Sequence, residues 1–160
     1  MSLLQRIDNS FLWIMKPHDS AITNIYKELN KNGLEKDRII FAGKMKQNDH
    51  LSRHACGDLF LDTFNYNAGT TASDSLCAGL PLLTLLGKSY TARAAASILN
   101  ACDLNELIAN NEFEYELLAY ELATNKERLD KISKKLKEKS SPFFNTSKYT
   151  KNLENIYIKI

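Results

Sequence analysis

The run "LFLDTFNYNAGTTASDSLCAGLPLLTLL", residues 59–86, sets a short apolar segment, "LFLD" (59–62), before a polar loop and a helix-like stretch, "TASDSLCAG" (71–79). It then returns to a second apolar segment, "LPLLTLL" (80–86). Apolar segments of this length, bounded by turn residues, read as buried strands. Strand, loop, helix and strand at this spacing make a βαβ unit, whose two strands run parallel.

The same grammar extends towards the N-terminus. "FLWIM" (11–15) and "RIIFAG" (38–43) read as further strands, and "SAITNIYKELNKNG" (20–33) and "NDHLSRHAC" (48–56) as helices, the first stopped by Gly33. Beyond residue 88 the pattern predicts helices only, in "SYTARAAASILNA", "NEFEYELLAYELATN" and "KERLDKISKKLKEK", so the sheet is expected to be complete by then. "SSPFFN" breaks the helical pattern at Pro142. A last helix follows, with Tyr149, Leu153, Ile156 and Tyr157 on one face, and is expected to pack back on the domain surface. No repeat or low-complexity linker interrupts the chain. The expectation is one α/β domain over 1–160, a parallel α/β part at 1–88 and a helical part at 89–160.

Composition excludes several partners. At 160 residues, 44% hydrophobic and 25% charged, the chain has enough apolar material for a globular core. A net charge of +2 gives no strong field for nucleic acid or an anionic membrane, so any anion has to be caught locally. The lysine-rich stretch Lys126 to Lys139 is interrupted by Glu127, Asp130 and Glu138 and carries an apolar stripe of Leu129, Ile132 and Leu136, the mark of a solvated amphipathic helix. Cys56, Cys77 and Cys102 are odd in number and lack CxxC pairing, which points to free thiols in a reducing compartment rather than disulfides or a zinc site. With no signal peptide and no run of about 20 apolar residues, a cytoplasmic protein with no membrane partner is expected.

In an open parallel sheet ligands bind beyond the carboxyl ends of the strands, where helices begin and unpaired N–H groups point outward. Two loops qualify, "KMKQNDHLSRH" (44–54) and "TFNYNAGTTASD" (63–74). In the second, Gly69 lets the backbone approach a ligand, and Thr70 and Thr71 add hydroxyls to the N–H groups of a starting helix, which suits a diphosphate. Thr71 and Asp74 equally fit an S/T-x-x-D/E cap that needs no ligand, and the residues alone leave both readings open. In the first loop His50 and Arg53 share a helix face and could meet one ligand, the histidine stacking on a base and the arginine donating to a carbonyl or phosphate; both could equally be solvated. His18 and His54 have no partners at useful spacing. There is no GxGxxG after the first strand and no GxxxxGK[ST], and Cys56 near His54 points elsewhere on a helix, so no catalytic residue is assigned.

Five collinear segments together resemble the C-terminal catalytic half of the O-linked N-acetylglucosamine transferases, the SPINDLY-like enzymes included. They are "NSFLWIM", "GLEKDRIIFAGKMKQNDHLSRHACGDLFLDT", "GTTASDSLCAGLPLLTLLGKSYTARAAASIL", "ELIANNEFEYELLAYELATN" and "SSPFFNTSKYTKNLENIY", nearly the whole chain. The resemblance implies the C-terminal, Rossmann-like half of a GT-B glycosyltransferase, with a nucleotide-sugar donor, UDP-N-acetylglucosamine, and protein Ser or Thr hydroxyls as acceptors. Carried over residue by residue, His50 packs on uracil and Arg53 lies near the base. Met45 reads the uracil edge through its main chain, Thr70 and Thr71 hold the diphosphate, and Asp74 takes the ribose hydroxyls. Gln47 stands where the family pattern has a lysine, and Gly69 where it has a histidine, so a donor such as GDP-fucose stays open. No metal cofactor is implied, because the loop lacks a DxD-type carboxylate pair. The resemblance begins inside "SLLQRIDNS", so the preceding strand and loop, the N-terminal domain and the acceptor-binding repeats are expected to be missing. The isolated chain is then expected to be inactive alone, completed by a second chain, or a non-catalytic nucleotide- or protein-binding module.

Overall fold

The computed structural model describes residues 1–138 and 142–159. Lys139, the last of the lysine-rich stretch, the two serines of "SSPFFN", and Ile160 lie outside the described residues. The chain divides into two compact units, Met1–His50 and Leu51–Ile160.

The first unit holds α1 (Ser2–Arg6), β1 (Leu12–Met15), α2 (Asp19–Lys31) and β2 (Ile39–Ala42). The two strands run parallel, Leu12 opposite Ile39 and Met15 opposite Ala42. Because side chains alternate across a strand, Leu12, Ile14, Ile39 and Phe41 turn to one face and pack with Leu4 and Leu29. Trp13, Met15 and Ile40 turn to the other and stay exposed. Gly33 ends α2 as its position in the sequence predicts: its φ of +68° is the left-handed turn that lets the Leu34 N–H donate to Leu29 O at 3.0 Å. His18, without a ligand partner in the sequence reading, has a structural one, its Nδ1 accepting from the Ser20 N–H at the start of α2. Arg38, just before β2, holds α1 and the segment after it, its guanidinium donating to Leu4 O, Ile7 O and Ser10 O at 2.6–2.9 Å.

α3 (Gln47–His54) continues from the first unit into the second. The second unit then runs β3 (Phe60–Leu61), α4 (Thr70–Cys77), β4 (Leu82–Leu85), α5 (Ala94–Ala101), β5 (Ile108–Ala109), α6 (Glu112–Thr124), α7 (Lys126–Lys137) and α8 (Thr146–Ile158). Its sheet has the order β3-β4-β5, all parallel, with Phe60 opposite Leu82 and Thr84 opposite Ile108. β4 is central, and Leu82, Leu83 and Thr84 are fully buried. A strand covered on both faces needs a near-continuous apolar run, which is why "LPLLTLL" is so readable. Ala72 and Leu76 of α4, Ala95 and Leu99 of α5, Leu122 of α6 and the expected Leu129, Ile132 and Leu136 stripe of α7 close the core around it.

Two expectations are corrected. The sheet does not end by residue 88, since β5 adds a parallel strand beside β4; its apolar run, "LIA" (107–109), is short and lies between helix-like stretches, with which it reads. α8 forms, yet it buries none of its residues, and Tyr149, Ile156 and Tyr157 remain 55–69% exposed. Its spacing specifies an apolar stripe but not a surface to receive it.

Asparagine opens three of the C-terminal helices. Asn111, Asn125 and Asn145 each accept a backbone N–H three residues on, at 2.8–3.0 Å, the preferred N-cap chemistry. The three cysteines are free thiols, Cys56 and Cys77 exposed and Cys102 buried. Among the described residues no helix is long and apolar enough to cross a membrane.

Candidate functional site

The connection from β3 to α4 is organised by a carboxylate. Asp62, directly after β3, is only 4% exposed, and its Oδ1 accepts from the Ala68 N–H at 2.7 Å and the Thr63 N–H at 2.9 Å. The Thr84 hydroxyl, in the middle of β4, donates to Oδ2 at 2.7 Å, and the Tyr115 hydroxyl of α6 donates to the Asp62 carbonyl at 3.0 Å. Burial pushes the Asp62 carboxyl above the ordinary aspartate range, against the lowering effect of the Thr84, Ala68 and Thr63 hydrogen bonds. The Tyr115 phenol is pushed up as well, by its own burial and then by the Asp62 charge. Phe64 meets the Tyr115 ring edge to face at 5.0 Å. Asn67, 2% exposed, donates from Nδ2 to Thr63 O at 2.8 Å, and its Oδ1 has no hydrogen-bond partner among the described residues.

This framework fixes the start of α4. Gly69 is the N-cap, with no side-chain cap, and Thr70 and Thr71 are the first two helical residues, all three exposed. The capping reading of Thr71 and Asp74 is therefore corrected: the helix begins one residue before Thr71, so Thr71 and Asp74 both lie inside it. Gly69 has no side-chain oxygen to offer, so the first-turn N–H groups, which carry the positive end of the helix dipole, receive no capping side chain. Asp74, half-buried, sits one turn further along. Chemically this is an accessible set of N–H and hydroxyl donors that can take an anion.

The other site residues are on α3 and the loop before it. Met45 is 53% exposed in that loop, Gln47 is the exposed first residue of α3, and His50 and Arg53 are half-buried three residues apart on the same helix. Met45, Gln47 and His50 belong to the first unit; Arg53, Gly69, Thr70, Thr71 and Asp74 belong to the second. His54 is buried and Cys56 exposed beyond the helix end. Sequence reading missed Asp62, Asn67, Thr84 and Tyr115. The one available signal was an aspartate closing an apolar strand, since polar residues at such a place need buried partners.

A parallel sheet with an exposed donor set at the carboxyl end of a strand defines a Rossmann-like α/β architecture. An O-GlcNAc transferase mutant from Thermobaculum terrenum has this fold, with a TM-score of 0.88 at 24% identity over 98% of this chain and 31% of its own. The sequence matches glycosyl transferase family 41 over residues 1–153, and the chain belongs to that family. It is 33% identical over 99% of its length to a protein of Arabidopsis thaliana named a probable UDP-N-acetylglucosamine-peptide N-acetylglucosaminyltransferase SEC, covering 17% of that relative. It is 29% identical over 98% of its length to the Caenorhabditis elegans UDP-N-acetylglucosamine-peptide N-acetylglucosaminyltransferase, covering 14%. A SPINDLY protein of Solanum lycopersicum, named as a probable transferase of the same kind, is 33% identical over 87% of this chain. The chain thus spans 14–17% of the length of these relatives.

Proposed function

We propose that this chain is the nucleotide-sugar-binding part of a protein O-glycosyltransferase, taking UDP-N-acetylglucosamine as donor and Ser or Thr hydroxyls of an acceptor protein as target. The observation that carries this reading is the start of α4, where Gly69 leaves the first-turn N–H groups uncapped beside the exposed Thr70 and Thr71. In this reading those donors hold the diphosphate and Asp74 takes the ribose hydroxyls. On α3, His50 takes the uracil face and Arg53 approaches the base, while Met45 contributes its main chain and Gln47 lies near the ribose. During transfer the acceptor oxygen bonds to the anomeric carbon and the bond from that carbon to the phosphate oxygen breaks. Negative charge then grows on the departing diphosphate, where helix N–H groups and the threonine hydroxyls stabilise it without a metal. Acceptor binding and the catalytic base are not assigned to any residue of this chain; a second chain that completes the enzyme remains part of the proposal. Unpaired cysteines on the surface suit a cytoplasmic setting.

Calorimetric titration of the full chain with UDP, UDP-N-acetylglucosamine and GDP tests the reading. Uridine ligands are expected to bind, and Thr70→Ala/Thr71→Ala to weaken them more than about tenfold, since each charge-assisted hydrogen bond contributes about 1.5–3 kcal/mol. Failure of all three ligands to bind overturns the reading, and binding untouched by the double substitution moves the site away from α4. Preference for GDP would shift the donor class.

A further inference from the structure

Tyr66 and Tyr90 are 74% and 83% exposed, the largest exposures of any tyrosine in the second unit. They lie in the connections leaving the carboxyl ends of β3 and β4, and those connections are bonded to each other. The Asn67 N–H donates to Thr91 O at 2.9 Å and the Thr91 hydroxyl donates to Asn65 O at 3.3 Å. Tyr66 is therefore flanked on both sides by residues bonded to Thr91, and Tyr90 directly precedes Thr91. The backbone carbonyl of each tyrosine is itself held, by the Thr63 hydroxyl at Tyr66 and by the Arg93 N–H at Tyr90, the latter at 3.1 Å. The connection that carries Tyr66 also contains the buried Asp62 and Asn67 framework.

Two aromatic rings are thus presented to solvent from a fixed backbone. Such rings lose little conformational freedom on binding and offer both an apolar face and a hydroxyl. Their place in the fold narrows what they meet. Tyr66 is three residues before Gly69, so its Cα lies within about 11 Å of the α4 N-cap by chain length alone, and the ring reaches further. In a nucleotide sugar the anomeric carbon is one oxygen away from the terminal phosphate. A sugar whose diphosphate sits at Thr70 and Thr71 lies within the span of the connection that carries Tyr66, and the Thr91 hydrogen bonds join the connection of Tyr90 to it, whereas the base, at the other end of the diphosphate, is carried away from that phosphate.

We infer that Tyr66 and Tyr90 form an aromatic rim that contacts the pyranose ring of the donor, the C–H face of the sugar against a tyrosine face and a sugar hydroxyl against a phenol. This rests on the diphosphate reading of α4 and assigns the sugar end of the same ligand.

The test compares each nucleotide with its own sugar conjugate: UDP with UDP-N-acetylglucosamine, and GDP with GDP-fucose, titrated into the full chain, Tyr66→Ala, Tyr90→Ala, the double variant and Tyr66→Phe. The rings are exposed, so the fold is expected to survive, as circular dichroism will show. For whichever nucleotide the unaltered chain binds, its own affinity stays within about twofold in every variant, while the sugar conjugate weakens about tenfold in the double variant. Tyr66→Phe keeps the ring and retains most of the affinity. Equal weakening of nucleotide and conjugate, or no change in either, overturns the sugar contact and leaves the diphosphate site standing. If the unaltered chain binds no nucleotide at all, both readings fall together.

Discussion

Asp62 holds the Thr63 and Ala68 N–H groups and the Thr84 hydroxyl while nearly out of contact with water. Asp62→Ala strands these donors, and because each buried unsatisfied group costs about 1–3 kcal/mol, urea unfolding is expected to show a loss of about 3 kcal/mol or more. Asp62→Asn is expected to cost far less, since one amide oxygen can accept both N–H groups and the amide nitrogen can donate to the Thr84 hydroxyl. The two variants also separate the effect of charge. Burial raises the folded-state pKa of Asp62, so the native chain holds its proton at pH values where the unfolded chain has released it. The contribution of this group to stability is then greatest below the unfolded aspartate range, falls as pH rises towards the folded pKa, and is flat above it. Asp62→Asn lacks that fall, so the melting temperature of the variant relative to the unaltered chain is expected to rise between pH 4 and pH 7. A difference that stays constant or falls would mean that the carboxyl is not held in this way. None of this was legible locally. Asp62 reads as the last residue of an apolar run, and its two distant partners, Thr84 and Tyr115, lie 22 and 53 residues away.

At the scale of elements, α4 shows how far pattern reading goes. The apolar spacing of Ala72 and Leu76 announces a helix, and these residues do bury fully. The start was misread, because Thr71 and Asp74 satisfy a capping template equally well from inside a helix that begins at Thr70. Templates record spacing, whereas the boundary is set by the loop that Asp62 holds. The same start yields a gain-of-function experiment. A Cβ at Gly69 would meet nothing within 4 Å, and φ there is −103°, outside the left-handed region that favours glycine. Gly69→His, which restores the residue of the family pattern, is expected to change stability by no more than about 0.5 kcal/mol. It should also tighten UDP-N-acetylglucosamine binding in calorimetry. Unchanged or weaker binding would remove position 69 from donor recognition.

Over the whole molecule, the cores of the two units differ in size. Among the described residues the first is built around Leu4, Leu29 and Ile39, and the second around twelve buried residues on α4, β4 and the segments that follow. A small core resists opening less. Trp13, the only tryptophan of the chain, lies on β1 in the first unit, while most helical residues lie in the second. Urea unfolding followed by tryptophan fluorescence is therefore expected to show a lower midpoint than far-ultraviolet circular dichroism. Coincident curves would show that the two units unfold as one cooperative body. The parallel strands and most helices were legible because their apolar runs are long enough to carry a period; β5 was not, and the exposure of α8 depends on partners that spacing does not name. Thiol placement has a practical consequence. Cys77 closes the helix that Thr70 opens, and Cys102 is shielded by the core. With Cys56 changed to serine, a maleimide dye attaches to that one position, about 10 Å from the first turn by helical rise. The helix then carries its own optical gauge of whatever settles at its opposite end.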